Sequence, residues 1–203
     1  VVQIQKKGSK ILLGTYGALA LGPYAKQPIG RATNLPLDTI ITALQDILRE
    51  AKVTAKKGGI VIPFSSSFMT QVELPTNDEK QLETMVPLEA RKYIPVPITE
   101  VALDWSIIPK DSVKSGEPER PKTEIMLVAI HNETIGEFQQ IISKTGLDAN
   151  FFEIEIFSTM RSVLEQNTEP VMILDIGAAS TKLYIVERGG LRVSHTINKG
   201  SQD

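Results

Sequence analysis

The sequence predicts an α/β fold in which a compact α+β unit is inserted into a larger core. Three observations predict it. Strand-type runs alternate along the chain with segments of helical apolar spacing, the pattern of an α/β protein. Between two such α/β parts, Thr76 to Phe152 reads as helix, strand, strand, helix, strand. Finally, Val171 to Val186, VMILDIGAASTKLYIV, joins two strand signals through a tight turn of small residues with a carboxylate at its edge.

The first elements follow from periodicity and breakers. Val1 to Gln5 and Lys10 to Leu21 read as strands joined by Lys6-Lys7-Gly8-Ser9, and Gly22 to Leu35, with Pro23, Pro28 and Gly30, reads as loop. Leu37 to Lys52 carries Ile40, Ile41, Leu44, Ile47, Leu48 and Ala51 at helical spacing, and the basic turn Lys56-Lys57-Gly58-Gly59 suits the end of such a helix. Ile60, Val61 and Ile62 form a short buried strand, Ser65 to Ser67 a solvated turn, and Phe68 to Leu74 an alternating strand.

The inserted unit begins with a helix. Thr76 and Glu79 have the spacing of a capping box, and Leu82, Met85, Val86, Ala90 and Tyr93 supply an apolar face. Pro87 should kink or split this helix near Thr84. Ile94-Pro95-Val96-Pro97 stops it, and Val101, Leu103, Trp105 and Ile107 then alternate with Ala102, Asp104 and Ser106 in a half-buried strand ended by Pro109. Lys110 to Lys122 is a polar hairpin connection, and Glu124 to Ile130 is apolar enough for a central strand. A helix runs from an Asn132 cap to Gly146, a strand from Leu147 to Phe152, and a further helix from Ile154 to Glu165. After the hairpin, Leu191 to Ile197 is a last strand.

Composition removes several function classes. The 203 residues are 41% hydrophobic, sufficient for a sizeable core. With 22 basic and 24 acidic residues the net charge is −2, which gives no basic field for nucleic acid. The absence of cysteine excludes disulfides and thiolate zinc sites, and His131 and His195 read as ordinary strand-end residues. No apolar run approaches the roughly 18 residues of a spanning helix, and Val1 to Lys7 lacks the character of a signal peptide, so the expectation is a soluble intracellular protein. Val1 starts in mid-strand and Asp203 follows a Gly-Ser turn, which reads as a fragment.

The turn after Asp175 carries the candidate chemistry. Small residues let backbone amides approach an anion, and such a nest holds phosphate. Asp175 is then placed to hold a hydrated Mg²⁺, with Ser180 and Thr181 donating hydroxyl hydrogen bonds. The same residues also make ordinary turn chemistry, and their spacing fails the P-loop template.

Two segments resemble one family. EARKYIPVPITEVALDW, Glu89 to Trp105, and LDIGAASTKLYIV with the trailing NKGSQ, Asn198 to Gln202, are similar to the PilM family of actin-like type IV pilus assembly proteins, relatives of the cell-division protein FtsA. The resemblance implies an actin-like (ribonuclease H-like) ATPase fold, partial here. Its divisions would be a first-half core over 1–75, an inserted α+β subdomain over 76–152, a returning helix over 153–169 and the start of the second half over 170–203. It further implies that Asp175, Gly177, Ala178, Ser180 and Thr181 form the second of two phosphate hairpins for ATP and Mg²⁺, the first preceding Val1. Lys182 departs from the small or hydroxyl residue expected there. By the same resemblance the protein works at the cytoplasmic face of the inner membrane with other pilus assembly proteins. It binds the N-terminal cytoplasmic tail of PilN in a groove between the first-half core and the inserted subdomain, with walls drawn from Gly59 to Leu74 and from Thr76 to Phe152 and with Tyr93, Ile94 and Trp105 as candidate lining. ATP turnover is expected to be slow or absent. The competing functions are an FtsA-like filament protein and a small-molecule kinase of the same superfamily.

Overall fold

The computed structural model describes residues 1–31, 33–108, 122–164 and 169–202. Strand β1 (Val2–Lys7) pairs antiparallel with β2 (Lys10–Tyr16), and helix α1 (Leu37–Glu50) follows. The second strand stops at Tyr16, short of the expected Leu21, because Thr15 turns its hydroxyl to the Ala51 carbonyl (2.7 Å) and the chain leaves the ribbon. Gln3 is buried and ties this ribbon to the next element, its Oε1 accepting from the Thr54 and Ala55 amides at 2.8 and 2.9 Å.

Strand β3 (Lys57–Ile62) leads into β4 (Ser67–Leu74), α2 (Glu79–Ala90), β5 (Val101–Ile107) and β6 (Thr123–His131). Helix α3 (Asn132–Thr145) then returns the chain to β7 (Asp148–Ile154), which pairs in parallel with β3. After α4 (Glu155–Val163) come β8 (Val171–Ile176), β9 (Thr181–Glu187) and β10 (Gly190–Ile197), an antiparallel sheet in the order β10-β9-β8. The Lys110 to Lys122 connection lies outside the described residues except for Lys122, which pairs with Glu73 at 2.7 Å. Glu165, the expected end of α4, lies outside them too.

Three local expectations give way to tertiary context. The α2 cap is Asp78, whose Oδ1 accepts from the Lys80 amide at 2.9 Å. Thr76, read as the cap, is instead buried with its hydroxyl donating to Gln81 Oε1 at 2.7 Å. Pro87 does not split the helix, which runs unbroken to Ala90 and leaves Tyr93 in the turns that follow. The proline removes one backbone donor late in the helix, while Leu82, Val86 and Ala90 anchor the inner face in the core on both sides of it. Asn132 lies just inside α3, after His131, and its amide donates to the Thr99 carbonyl at 3.0 Å.

The inserted sheet has the order β4-β6-β5, so β6 is central as expected. Its side chains alternate between two cores. Ile125, Leu127 and Ala129 pack with Val72, Leu74 and the α2 residues Leu82, Val86 and Ala90. Met126, Val128 and Ile130 face the opposite way, toward Ile154, Ile156, Met160, Tyr184 and Val186. Since β4 pairs with β6 and β7 pairs with β3, we propose that the inserted unit follows the sheet and spans 67–131.

Leu82 is fully buried and Leu88, on the same helix, is 59% exposed. Leu82→Ala is expected to lower unfolding stability by about 2–5 kcal/mol in denaturant titration, while Leu88→Ala stays within about 0.5 kcal/mol.

Candidate functional site

The hairpin of β8 and β9 pairs Ile176 with Thr181 and Asp175 with Lys182, leaving 177–180 as its turn. The Gly177 amide donates across the turn to the Ser180 carbonyl at 2.9 Å. A second segment braces the turn from outside: the Ser201 and Gln202 amides donate to the Gly177 and Ala178 carbonyls at 2.9 and 3.0 Å. Gly200 makes this approach possible, because a Cβ there would lie 2.2 Å from the Ala178 oxygen. With those carbonyls tied, the amides of Ala178, Ala179 and Ser180 donate no hydrogen bond among the described residues. Ala178 and Ala179 are exposed. Successive amides at a turn are the kind of feature that holds an anion. The Thr181 hydroxyl donates to the Lys199 carbonyl at 2.8 Å, so here it braces the turn, and its donor is not directed at a ligand as the sequence reading had it.

The carboxylate at the turn has a cation beside it. Lys182 extends inward, its ammonium donating to Glu155 Oε1 and lying 3.9 Å from Asp175 Oδ2. Glu155, the first residue of α4, also accepts the Phe64 amide at 2.9 Å. The Phe64 ring meets Tyr184 edge-on at 5.6 Å. Tyr184 is fully buried and its hydroxyl has no partner among the described residues. Burial first, then the Glu155 and Asp175 charges, push the Tyr184 phenol well above its usual range. Asp175 is 39% exposed, and no group of three or more acids or histidines that could hold a metal ion is found among the described residues.

A cleft of about 290 Å³ opens where the inserted sheet meets the β7–α4 segment. Its floor is Val128 and Ile130 of β6 with Asp104 of β5, and the facing wall is Phe151, Phe152 and Phe157. Strand alternation explains who faces it. In β5, Asp104 points to the cleft while Trp105 packs with Leu103 against the α2 side. Phe151 reaches the wall by lying across Gly59, where a Cβ would sit 2.3 Å from its ring. Glu153 also lines the cleft and is held by the two terminal guanidinium nitrogens of Arg161, one at 2.6 Å. Those hydrogen bonds keep its carboxyl below the usual range.

None of Tyr93, Ile94 and Trp105 lines that cleft. Tyr93 is exposed, and Ile94 lines a separate hollow of about 250 Å³ with Ser65 to Ser67, Val96 and His131. Of the residues that line this cleft, Asp104 lies on the side of β5 that carries Ala102 and Ser106, and no local sequence pattern marked Phe151 or Phe157 as its neighbours.

The family model described as type IV pilus assembly protein PilM matches residues 4–198. A solved PilM–PilN type IV pilus biogenesis complex superposes with a TM-score of 0.76 at 20% identity, covering 98% of this chain and 58% of that chain. The cytoplasmic domain of EpsL, an inner membrane component of the type II secretion system of Vibrio cholerae, superposes with a TM-score of 0.54 at 14% identity, over 78% of this chain and 56% of that one. The chain thus spans under two thirds of the length of either match. At these identities the likeness carries the fold alone, and it agrees with the α/β class expected from the sequence.

The folded state holds the Tyr184 proton more tightly than the unfolded chain does. Its contribution to stability is therefore full below the unfolded phenol's pKa, about 10, and is lost as pH rises above it. Tyr184→Phe is expected to flatten the alkaline loss of stability followed by circular dichroism, and at pH 7 to cost no more than about 1 kcal/mol, because it removes a hydroxyl without a partner.

Proposed function

We propose a role that proceeds from one premise: this chain belongs to the family of the type IV pilus assembly protein PilM. In that role it is a nucleotide-binding scaffold at the cytoplasmic face of the inner membrane, and it captures the N-terminal cytoplasmic tail of PilN. No helix among the described residues is long and apolar enough to cross a membrane.

The observation that carries the proposal is the cleft between β5–β6 and the β7–α4 wall. Its dimensions suit a few side chains of an extended peptide rather than a folded partner. An extended tail would set apolar side chains on Val128, Ile130 and Phe157, and β5, at the edge of its sheet, offers backbone groups beside them. Asp104 supplies an exposed negative charge for a basic side chain or a free amino terminus at the rim. The three candidate residues from the sequence, Tyr93, Ile94 and Trp105, are replaced in this reading by Asp104, Val128, Ile130, Phe151 and Phe157.

For the nucleotide, the amides of Ala178, Ala179 and Ser180 would hold phosphate oxygens, with the Ser180 hydroxyl in reach and Gly177 keeping the turn tight. Asp175 would hold Mg²⁺ through water, and the ion would neutralise phosphate charge. Thr181 shapes the turn through Lys199. No residue is assigned as a base.

Two measurements on the full-length protein test the two halves of this reading. In titration calorimetry with a peptide copying the PilN N-terminus, Asp104→Lys and Phe151→Ala are each expected to weaken binding by about tenfold. Both side chains are exposed, so the fold should survive, and unchanged affinity in both variants would remove the cleft from the proposal. Asp175→Ala is expected to weaken Mg·ATP binding with little change in unfolding temperature. Unaltered ATP affinity would remove the phosphate assignment.

A further inference from the structure

We infer that Lys182 is a positioning residue that couples the phosphate turn to the peptide cleft through Glu155. The inference rests on the functional reading above and adds a regulatory link between its two sites.

The link is a chain of short contacts. Lys182 stands opposite Asp175 in the β8–β9 register, one residue beyond the turn side chain Thr181. Its ammonium touches Glu155 and lies 3.9 Å from Asp175, so one cation serves two carboxylates. The side chains of Lys182 and Glu155 are only 14% and 23% exposed, so water screens the pair weakly. Glu155 is in turn the joint between the two sides of the cleft's support. It accepts the Phe64 amide from the segment after β3, and it directly follows Ile154 and precedes Phe157, both cleft-lining residues.

Charge arithmetic gives the coupling its physical basis. A phosphate on the turn adds negative charge on the Asp175 side of the ammonium, and Mg²⁺ held by Asp175 adds positive charge there. Either changes how Lys182 divides itself between Asp175 and Glu155. A change in that division alters how firmly the start of α4 is held, and with it the wall that Phe157 and Ile154 give the cleft. Ligands at the two sites then differ in affinity for two arrangements of one element, which is the condition for coupling. The coupling is reciprocal, so peptide must change nucleotide affinity by the same factor.

The test measures peptide affinity of the full-length protein by calorimetry, with and without a saturating non-hydrolysable ATP analogue and Mg²⁺. The wild type is expected to shift by about fivefold or more between the two conditions. Lys182→Met, which keeps the apolar stem and removes the charge, should bring the shift below about twofold while each ligand still binds alone. Lys182→Arg should restore it, which a purely structural loss would not do. Because Lys182→Met leaves Glu155 without its cation, Glu155→Gln provides a second uncoupling variant that can still accept the Phe64 amide. It too should lose most of the shift. A full shift in both uncoupled variants overturns the inference, as does a wild type that binds both ligands without any shift. In those cases the functional reading stands. If neither ligand binds the wild type, that reading falls and this inference falls with it.

Discussion

The structure depends on one strand being buried from both sides. Strand β6 places Ile125, Leu127 and Ala129 in the α2 core and Met126, Val128 and Ile130 in the core shared with α4 and β9. A strand so placed leaves Val128 and Ile130 partly open on its second face, and a register slip of one residue would exchange the contents of two cores at once. That fixes the inserted sheet against the rest of the molecule. Polar ties reinforce the same junction: Gln71 of β4 donates to the Leu191 and Arg192 carbonyls of β10 at 2.8 and 3.1 Å, and Arg192 bonds Glu124 of β6 at 3.3 Å. The cleft is a product of this arrangement, since its floor is the part of β6's second face that the α4 side leaves uncovered.

How legible this was in the sequence differs by the range of the interaction. The β5 alternation, the central character of β6 and the hairpin after Asp175 depend on neighbours within one strand or turn, and they emerge as expected. The α2 start was misread because Thr76 and Asp78 both have side chains able to cap. The decision belonged to tertiary burial, which took Thr76 into the interior and left Asp78 at the helix end. Pro87 does not split α2, for a related reason: packing on both sides of it outweighs one missing backbone bond. The cleft lining was out of reach. Phe151 faces it only because Gly59, far away in sequence, lies beside it in a parallel pair whose register no local pattern specifies.

Lys182 illustrates the same limit at the turn. As a sequence feature it is a departure from a small or hydroxyl residue, without evident consequence. In the fold it alternates inward with Tyr184 and Val186, and its partner Glu155 comes from the start of another helix. Nothing in the spacing of the two residues announces the pair.

The electrostatic weight of that pair follows from where it sits. Arg49 beside Asp46 and Lys144 beside Asp38 are substantially exposed, and ion pairs of that kind contribute little once chain entropy and screening are counted. Lys182 and Glu155 are mostly shielded, so their desolvation largely offsets their attraction, and the net gain in stability is again modest. What differs is the cost of mispairing. An exposed lysine can lose its partner to water, whereas a shielded one must find another carboxylate, and among the described residues Asp175 is the one within reach. A pair with little net stability but a high penalty for separation is well suited to move as a unit between two partners. In this fold the partners belong to the phosphate turn and to the helix that walls the cleft.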